Sequence, residues 1–149
     1  MKGSWRTTGL NLVAKLHLIK VMQSQCFAEV LAYLKSPENK MVPDRVRDMN
    51  LFLDPYGILR SSSRMGKVEC FSDDIISPIV LGKSHMLTTL IVEDCHRRVK
   101  HLGIQATLNK VRYAGITVIS PYQTIKSIIH LCLICRKFNS LSYNNPRIT

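Results

Sequence analysis

The chain has 149 residues, enough for one ordinary domain or two small ones around a core of modest size. An apolar fraction of 46% and a charged fraction of 21% describe a folded, soluble chain and exclude a disordered or collagen-like one. Its 21 Lys and Arg against 10 Asp and Glu give a net charge of +11, which points towards polyanions such as nucleic acid, or towards an acidic membrane surface.

Taken in chain order, residues 10–34 predict a helix: Leu12, Leu16, Ile19, Phe27, Val30 and Leu34 recur at three- and four-residue spacings. Ser36-Pro37 ends the pattern, because a residue before proline is pushed out of the α region, and the polar stretch Glu38–Asn50 reads as a linker. Leu51-Phe52-Leu53 and Ile58-Leu59 flank Asp54-Pro55-Tyr56-Gly57, a hairpin with Pro and Gly where a turn uses them. Ser61-Ser62-Ser63 is a polar stretch, and Pro78-Ile79-Val80-Leu81-Gly82 supplies a third short strand. From Ser84, a candidate cap, the helical period returns over His85–Val99, with Leu87, Leu90, Ile91 and Cys95 on the apolar side. Two shorter helices follow, over 104–113 (Ile104, Leu108, Val111) and over 121–131, where Pro121 suits a first helical turn. The expected fold is therefore mainly α, with a small β-hairpin element and short strands before a three-helix unit.

Charge is distributed unevenly along these elements. Residues 1–94 carry 12 basic and 10 acidic side chains, whereas residues 95–149 carry nine basic and no acidic ones. Metal-dependent phosphoryl transfer needs several carboxylates converging on a hard cation, and the basic third has none to offer. If it meets nucleic acid, it holds it and does not cut it. An enzyme is not expected.

Five cysteines is an odd number, and only Cys132 and Cys135 are close in sequence. The apolar stretch near the start is interrupted by Lys15, His17 and Lys20, which argues against a secretory leader, and no apolar run of membrane-spanning length occurs. The expected context is intracellular and reducing, nuclear or cytoplasmic. There, a Cys-x-x-Cys pair binds metal or does redox chemistry more often than it forms a structural disulfide.

One pattern stands above the rest: His96-x4-His101, thirty intervening residues, then Cys132-x2-Cys135. Two imidazoles and two thiolates are a ligand set for one tetrahedral, structural Zn²⁺. Residues five apart on an unbroken helix are rotated by about 140° from each other, so both histidines cannot face one ion unless the helix ends between them. Gly103 sits where such an exit relaxes, and two helices and a turn fit between the pairs. A thioredoxin-like redox site lacks its preceding βαβ pattern. His85 lies about 16 Å along the helix from His96, too far to share an ion. His130 is read as packing or meeting phosphate, and Cys26, Cys70 and Cys95 as small core residues. Asp73-Asp74 lacks an obvious third partner, and Glu93-Asp94 is read as a solvated helix face.

At these residues the sequence resembles a known family. The segment His85–Cys135, with Ile91-Val92-Glu93-Asp94-Cys95-His96-Arg97-Arg98-Val99-Lys100-His101-Leu102-Gly103-Ile104-Gln105-Ala106-Thr107-Leu108 at its centre, is similar to the zinc-binding N-terminal domain of retroelement integrases. The similarity is greatest to the Pol polyprotein of BEL/Pao-type retrotransposons. It extends upstream through Leu51-Phe52-Leu53-Asp54, Gly57-Ile58-Leu59-Arg60 and Pro78–Leu81, and downstream through Arg136-Lys137-Phe138-Asn139 to Pro146-Arg147.

The resemblance implies a zinc-pinned, helix-turn-helix-like bundle that multimerises the integrase and engages retroelement DNA ends. It also implies a separate catalytic core, beginning after residue 149, with an Asp-Asp-Glu site. The organisation it suggests is an N-terminal helix and linker (1–50), a strand extension (51–83), the zinc-binding helical domain (84–140) and a tail (141–149). Two departures stand out. The bulky Tyr-Trp pair usual after the second helix is here Tyr113-Ala114-Gly115-Ile116, the sole Trp being Trp5; a smaller residue there thins a small core. Ser63 stands where the family has Gly before the Arg of the hairpin's second arm.

Two functions follow as expectations. In the first, Arg97, Arg98, Lys100, Lys110, Arg112, Lys126, Arg136 and Lys137 contact phosphates of DNA, about half of them contributing, with no membrane and no small-molecule substrate involved. In the second, the bundle serves protein–protein assembly and its basic charge is incidental.

Overall fold

The computed structural model describes residues 9–36, 38, 41, 43–62 and 72–140; Trp5, Ser63, Cys70 and the 141–149 tail lie outside them. Within the described residues the chain is mainly helical, with one small four-stranded sheet. The predicted N-terminal helix forms as two: α1 (Gly9–Cys26) and α2 (Ala28–Lys35). Phe27 separates them with φ −130° and ψ 31°, yet hydrogen bonds run across the break, from Phe27 N–H to the Gln23 carbonyl (2.8 Å) and from Leu31 N–H to the Phe27 carbonyl (2.9 Å). The break turns Phe27 and Val30 into the core beside Ile19 and Met22.

Part of the expected linker is helical. α3 (Asp44–Met49) starts after Pro43, which suits a helix entry, and stops at Asn50, whose φ of 48° is the left-handed conformation that Asn tolerates. The Ser61 hydroxyl donates to the Met49 carbonyl (2.7 Å) and ties this helix to the hairpin.

The hairpin pairs β1 (Leu51–Leu53) with β2 (Leu59–Ser61) as expected. Its turn is built by Asp54, whose carboxylate accepts from Tyr56 N–H and Ile58 N–H (both 2.9 Å). The same carboxylate holds Arg60 at 2.9 Å, and Arg60 also donates to the Ser77 carbonyl (2.8 Å) and pairs with Asp74 (3.3 Å). One residue pair, Arg60 with Ile79, joins β2 to β3 (Ile79–Leu81).

Beyond that pair a side chain takes over. Gln23 of α1, 1% exposed, accepts from Leu59 N–H (2.8 Å) and donates to the carbonyls of Leu59 and Val80 (2.9 Å each). A buried strand backbone must pair its polar groups, and here a helix supplies the partner.

β3 also pairs in parallel with β4 (Ile116–Val118), a strand not expected from the sequence, in the register Ile79↔Ile116, Val80↔Thr117 and Leu81↔Val118. A parallel pair requires a crossover, supplied by α5 (Met86–Arg98) and α6 (Ile104–Tyr113). Gly115 makes the turn into β4 possible. Its φ is +73°, and a Cβ there would stand 2.8 Å from the Asp74 Cβ. The chain turns at Ala114-Gly115, and Ile116 and Val118 fill the core after it.

β4 leads through Ser120 into α7 (Pro121–His130), and α8 (Leu133–Asn139) follows. α5, α6 and α7 pack on one another as the expected three-helix unit. One apolar core runs from Met22, Phe27 and Val30 through Leu59, Val80 and Leu81 to Ile91, Val92, Leu108, Val111 and Ile125. No helix among the described residues is long and apolar enough to cross a membrane.

Candidate metal centre

The parallel strand pair sets the position of the site. α5 follows β3 and α7 follows β4, so both helices leave the same end of neighbouring strands and lie in contact. His96 is ten residues beyond the start of α5, and Cys132 is eleven beyond the start of α7. At 1.5 Å per residue these are rises of about 15 and 16 Å, so the two ligand pairs reach the same height.

The helix does end between the histidines, as their spacing requires. α5 stops at Arg98, and the chain exits through two hydrogen bonds: Lys100 N–H to the Arg97 carbonyl and His101 N–H to the His96 carbonyl, both 3.0 Å. This is the double closure of a Schellman cap, which places a left-handed residue one position after the cap. Lys100 takes that place with φ 56°, and His101 follows with φ 60°. Consecutive non-glycine residues in this region are uncommon and strained. The cap explains the x4 spacing, since its longer hydrogen bond joins the two ligand residues through their own backbones. Gly103, with φ 91° and ψ −173°, is not that left-handed residue; it is the entry to α6, in a conformation nearly reserved for glycine.

Cys132 precedes α8 and Cys135 lies in its first turn. The donor atoms of His96, His101, Cys132 and Cys135 all lie within 4.8 Å of one another, so these four can hold a metal ion. His96 Nε2 is 3.1 Å from Cys135 Sγ, and His101 Nδ1 is 3.4 Å from Cys132 Sγ and 3.8 Å from Cys135 Sγ. A tetrahedron with metal–nitrogen bonds of about 2.0 Å and metal–sulfur bonds of about 2.3 Å has edges of about 3.3–3.8 Å. The three contacts of 3.1, 3.4 and 3.8 Å lie near those edges, so the four donors could close around a small ion. The two imidazoles meet edge to face, 4.5 Å between centroids and 86° between planes, which aims one nitrogen of each inward.

Electrostatics agree with that use. Burial, and next the neighbouring His101, push His96 below the usual histidine range, which favours the neutral ring, the form that ligates. Burial, and next a hydrogen bond with Cys132, push the Cys135 thiol up. Two adjacent sulfurs resist joint ionisation, and a divalent cation is the charge that reverses this.

A residue that sequence reasoning missed stands behind the histidine. Thr107 of α6, fully buried, lies with its hydroxyl 3.1 Å from His96 Nδ1 and donates to the Gly103 carbonyl at 2.8 Å. No spacing rule could have found it, because the contact joins two helices.

Other residues stay apart from the four. Cys95 is buried with its thiol pushed up to about 11, by burial first and Asp94 second, which fits an inert core thiol. Cys26 is half-buried, with its thiol raised by burial. His130 is exposed at the end of α7. His85, not Ser84, caps α5: its Nδ1 accepts from Leu87 N–H at 3.1 Å. Asp94 is engaged as well as solvated, holding Arg98 at 2.6 Å and Arg97 at 3.9 Å. Of the basic residues expected at phosphates, Arg97 and Arg98 therefore face a carboxylate. Lys100, Arg112, Lys126, Arg136 and Lys137 are exposed, and Lys110 is half-buried.

Comparison of the chain with known protein families, with characterised proteins and with solved structures found no match.

Proposed function

We propose that the chain is a zinc-stabilised, non-catalytic module that binds nucleic acid, the zinc-binding piece of a BEL/Pao-type retrotransposon integrase that its sequence resembles. The observation that carries this reading is the convergence of His96, His101, Cys132 and Cys135 on one point. Nitrogen and thiolate donors in a tetrahedral set suit Zn²⁺, and thiolate ligands belong in a reducing, intracellular compartment. When bound, the ion supplies structure: four protein ligands leave no open position for water, and binding energy becomes folding energy.

Around this site, residues 95–149 carry nine basic and no acidic side chains. Neutralising phosphates with Lys and Arg releases counterions, so affinity for a DNA duplex should fall steeply with salt. If about four of the eight named basic residues contribute, the log–log slope is about −4. The test is fluorescence anisotropy of a labelled duplex between about 50 and 200 mM salt, with zinc and after chelation. A salt-independent affinity, or none in the zinc-loaded chain, sinks the nucleic-acid reading.

A second reading, assembly, is favoured by Leu102, Leu131, Leu133 and Phe138, which stand 69–78% exposed around the metal end. Sedimentation of the zinc-loaded chain without DNA discriminates the two. Association that survives high salt supports assembly, and a monomer at every concentration removes it.

A further inference from the structure

Three buried threonines share one local habit. Thr88 donates its hydroxyl proton to the Gly82 carbonyl (2.7 Å), Thr107 to that of Gly103 (2.8 Å), and Thr124 to that of Ile119 (2.9 Å). Each bond fastens the first turn of a helix to the loop before it. Thr107 differs from the other two because its oxygen also lies 3.1 Å from His96 Nδ1.

A hydroxyl carries one proton, and that of Thr107 is committed to a carbonyl that can only accept. Its oxygen must therefore accept at the second contact, which requires His96 to carry its proton on Nδ1. The proton of a neutral imidazole resides on one nitrogen, so Nε2 is left with a bare lone pair. Nε2 is the nitrogen that faces Cys135 Sγ, at 3.1 Å. We infer that Thr107 is the positioning residue of the metal centre: through Nδ1–H···Oγ1 it fixes the ring orientation and tautomer of His96, so that Nε2 ligates. This rests on the four residues binding a metal ion.

The arrangement separates this role from a purely structural one. The Gly103 carbonyl also accepts from Thr107 N–H at 3.2 Å, so losing the hydroxyl does not strip that carbonyl of its partner. The loss falls on the His96 Nδ1–H, a buried donor in a site where His96 is 3% exposed. His101 has the opposite arrangement, because its Nδ1 faces both sulfurs. The two ligand histidines thus bind through different nitrogens, and Thr107 sets the choice at His96.

The experiment is zinc affinity of the full chain by competition with a chelator, for wild type, Thr107→Val, Thr107→Ser and the control Thr124→Val. Loss of a hydrogen-bond partner behind a ligand costs about 10- to 100-fold in metal affinity, which is the loss expected for Thr107→Val. Thr107→Ser keeps the acceptor and should stay within about threefold of wild type, as should Thr124→Val, which loses the same kind of back-bond without touching a ligand. Long-range proton–nitrogen NMR of the zinc-loaded wild type provides a readout independent of any variant's folding: His96 should show a protonated Nδ1 and a metal-bound Nε2. Equal affinity of Thr107→Val and wild type, or a metal-bound Nδ1 at His96, overturns the inference while leaving zinc binding intact. A wild-type chain that takes up no zinc overturns the metal reading itself, and this inference with it.

Discussion

The two ends of the molecule are packed differently. At the sheet end, Met22, Leu59, Val80 and Leu81 are completely excluded from water, and Gln23 satisfies the backbone where β2 and β3 part. At the metal end, α8 buries no residue, and Leu131, Leu133 and Phe138 stand exposed beside it. Apolar burial, at about 25 cal/mol per Å², is concentrated at the first end and is slight at α8. What α8 does have is Cys135 in its first turn and Cys132 just before it, so on the proposed reading its attachment would depend on the metal these residues hold. On one continuous core the chain thus carries a half held by apolar burial and a half that, on the proposed reading, a bound metal ion would hold.

The largest expected effect breaks that contrast at the metal end. Cys135→Ser, or chelation of the zinc-loaded chain, should abolish tight metal binding and remove hydrogen-exchange protection from α8 and from the 99–103 loop. The amides of α1, β2 and β3 should keep theirs. Protection that survives unchanged at α8 would show that packing alone holds it.

Next in size comes the opposite end. Gln23→Leu keeps the bulk but leaves the Leu59 N–H and the Leu59 and Val80 carbonyls without their partner. Buried groups stripped in this way should lower stability by about 3 kcal/mol, read as a shift of the denaturation midpoint. Zinc affinity of the folded variant should change little. A large loss of zinc affinity would mean that the two ends are one energetic unit.

Gly115→Ala tests the strand that joins them. A left-handed φ costs an alanine about 1 kcal/mol, and its Cβ would press on Asp74, so about 2 kcal/mol in all is expected. The smallest effect carries the opposite sign. Lys100→Gly relieves the left-handed residue of the Schellman cap and should stabilise the chain by about 0.5–1 kcal/mol in thermal unfolding. The same variant should weaken DNA binding if Lys100 meets phosphate, which separates its two roles.

How much was legible in the sequence follows the same division. The three helices α5, α6 and α7, the hairpin, β3 and the four converging His and Cys residues were readable from local spacing. Periodicity marks a buried helix face, and a His-x4-His spacing incompatible with an unbroken helix demands an exit between the two residues. The break at Phe27 and the helix over Asp44–Met49 were not, because both are settled by packing and by a short cap.

What only the tertiary structure decided are the contacts whose partners lie far away in sequence. β4 is three residues long and becomes a strand because β3 offers it an edge. Gln23 reads as one more polar position on a helix until two strands part beside it. Thr107 reads as an ordinary helical threonine until α5 brings His96 to its oxygen. Sequence by itself determined which residues are chemically able to bind a metal ion and which helices carry them. The fold decided their height, their ring orientation and their supporting hydrogen bond, because these depend on the approach of separate elements and leave no periodic trace in the chain.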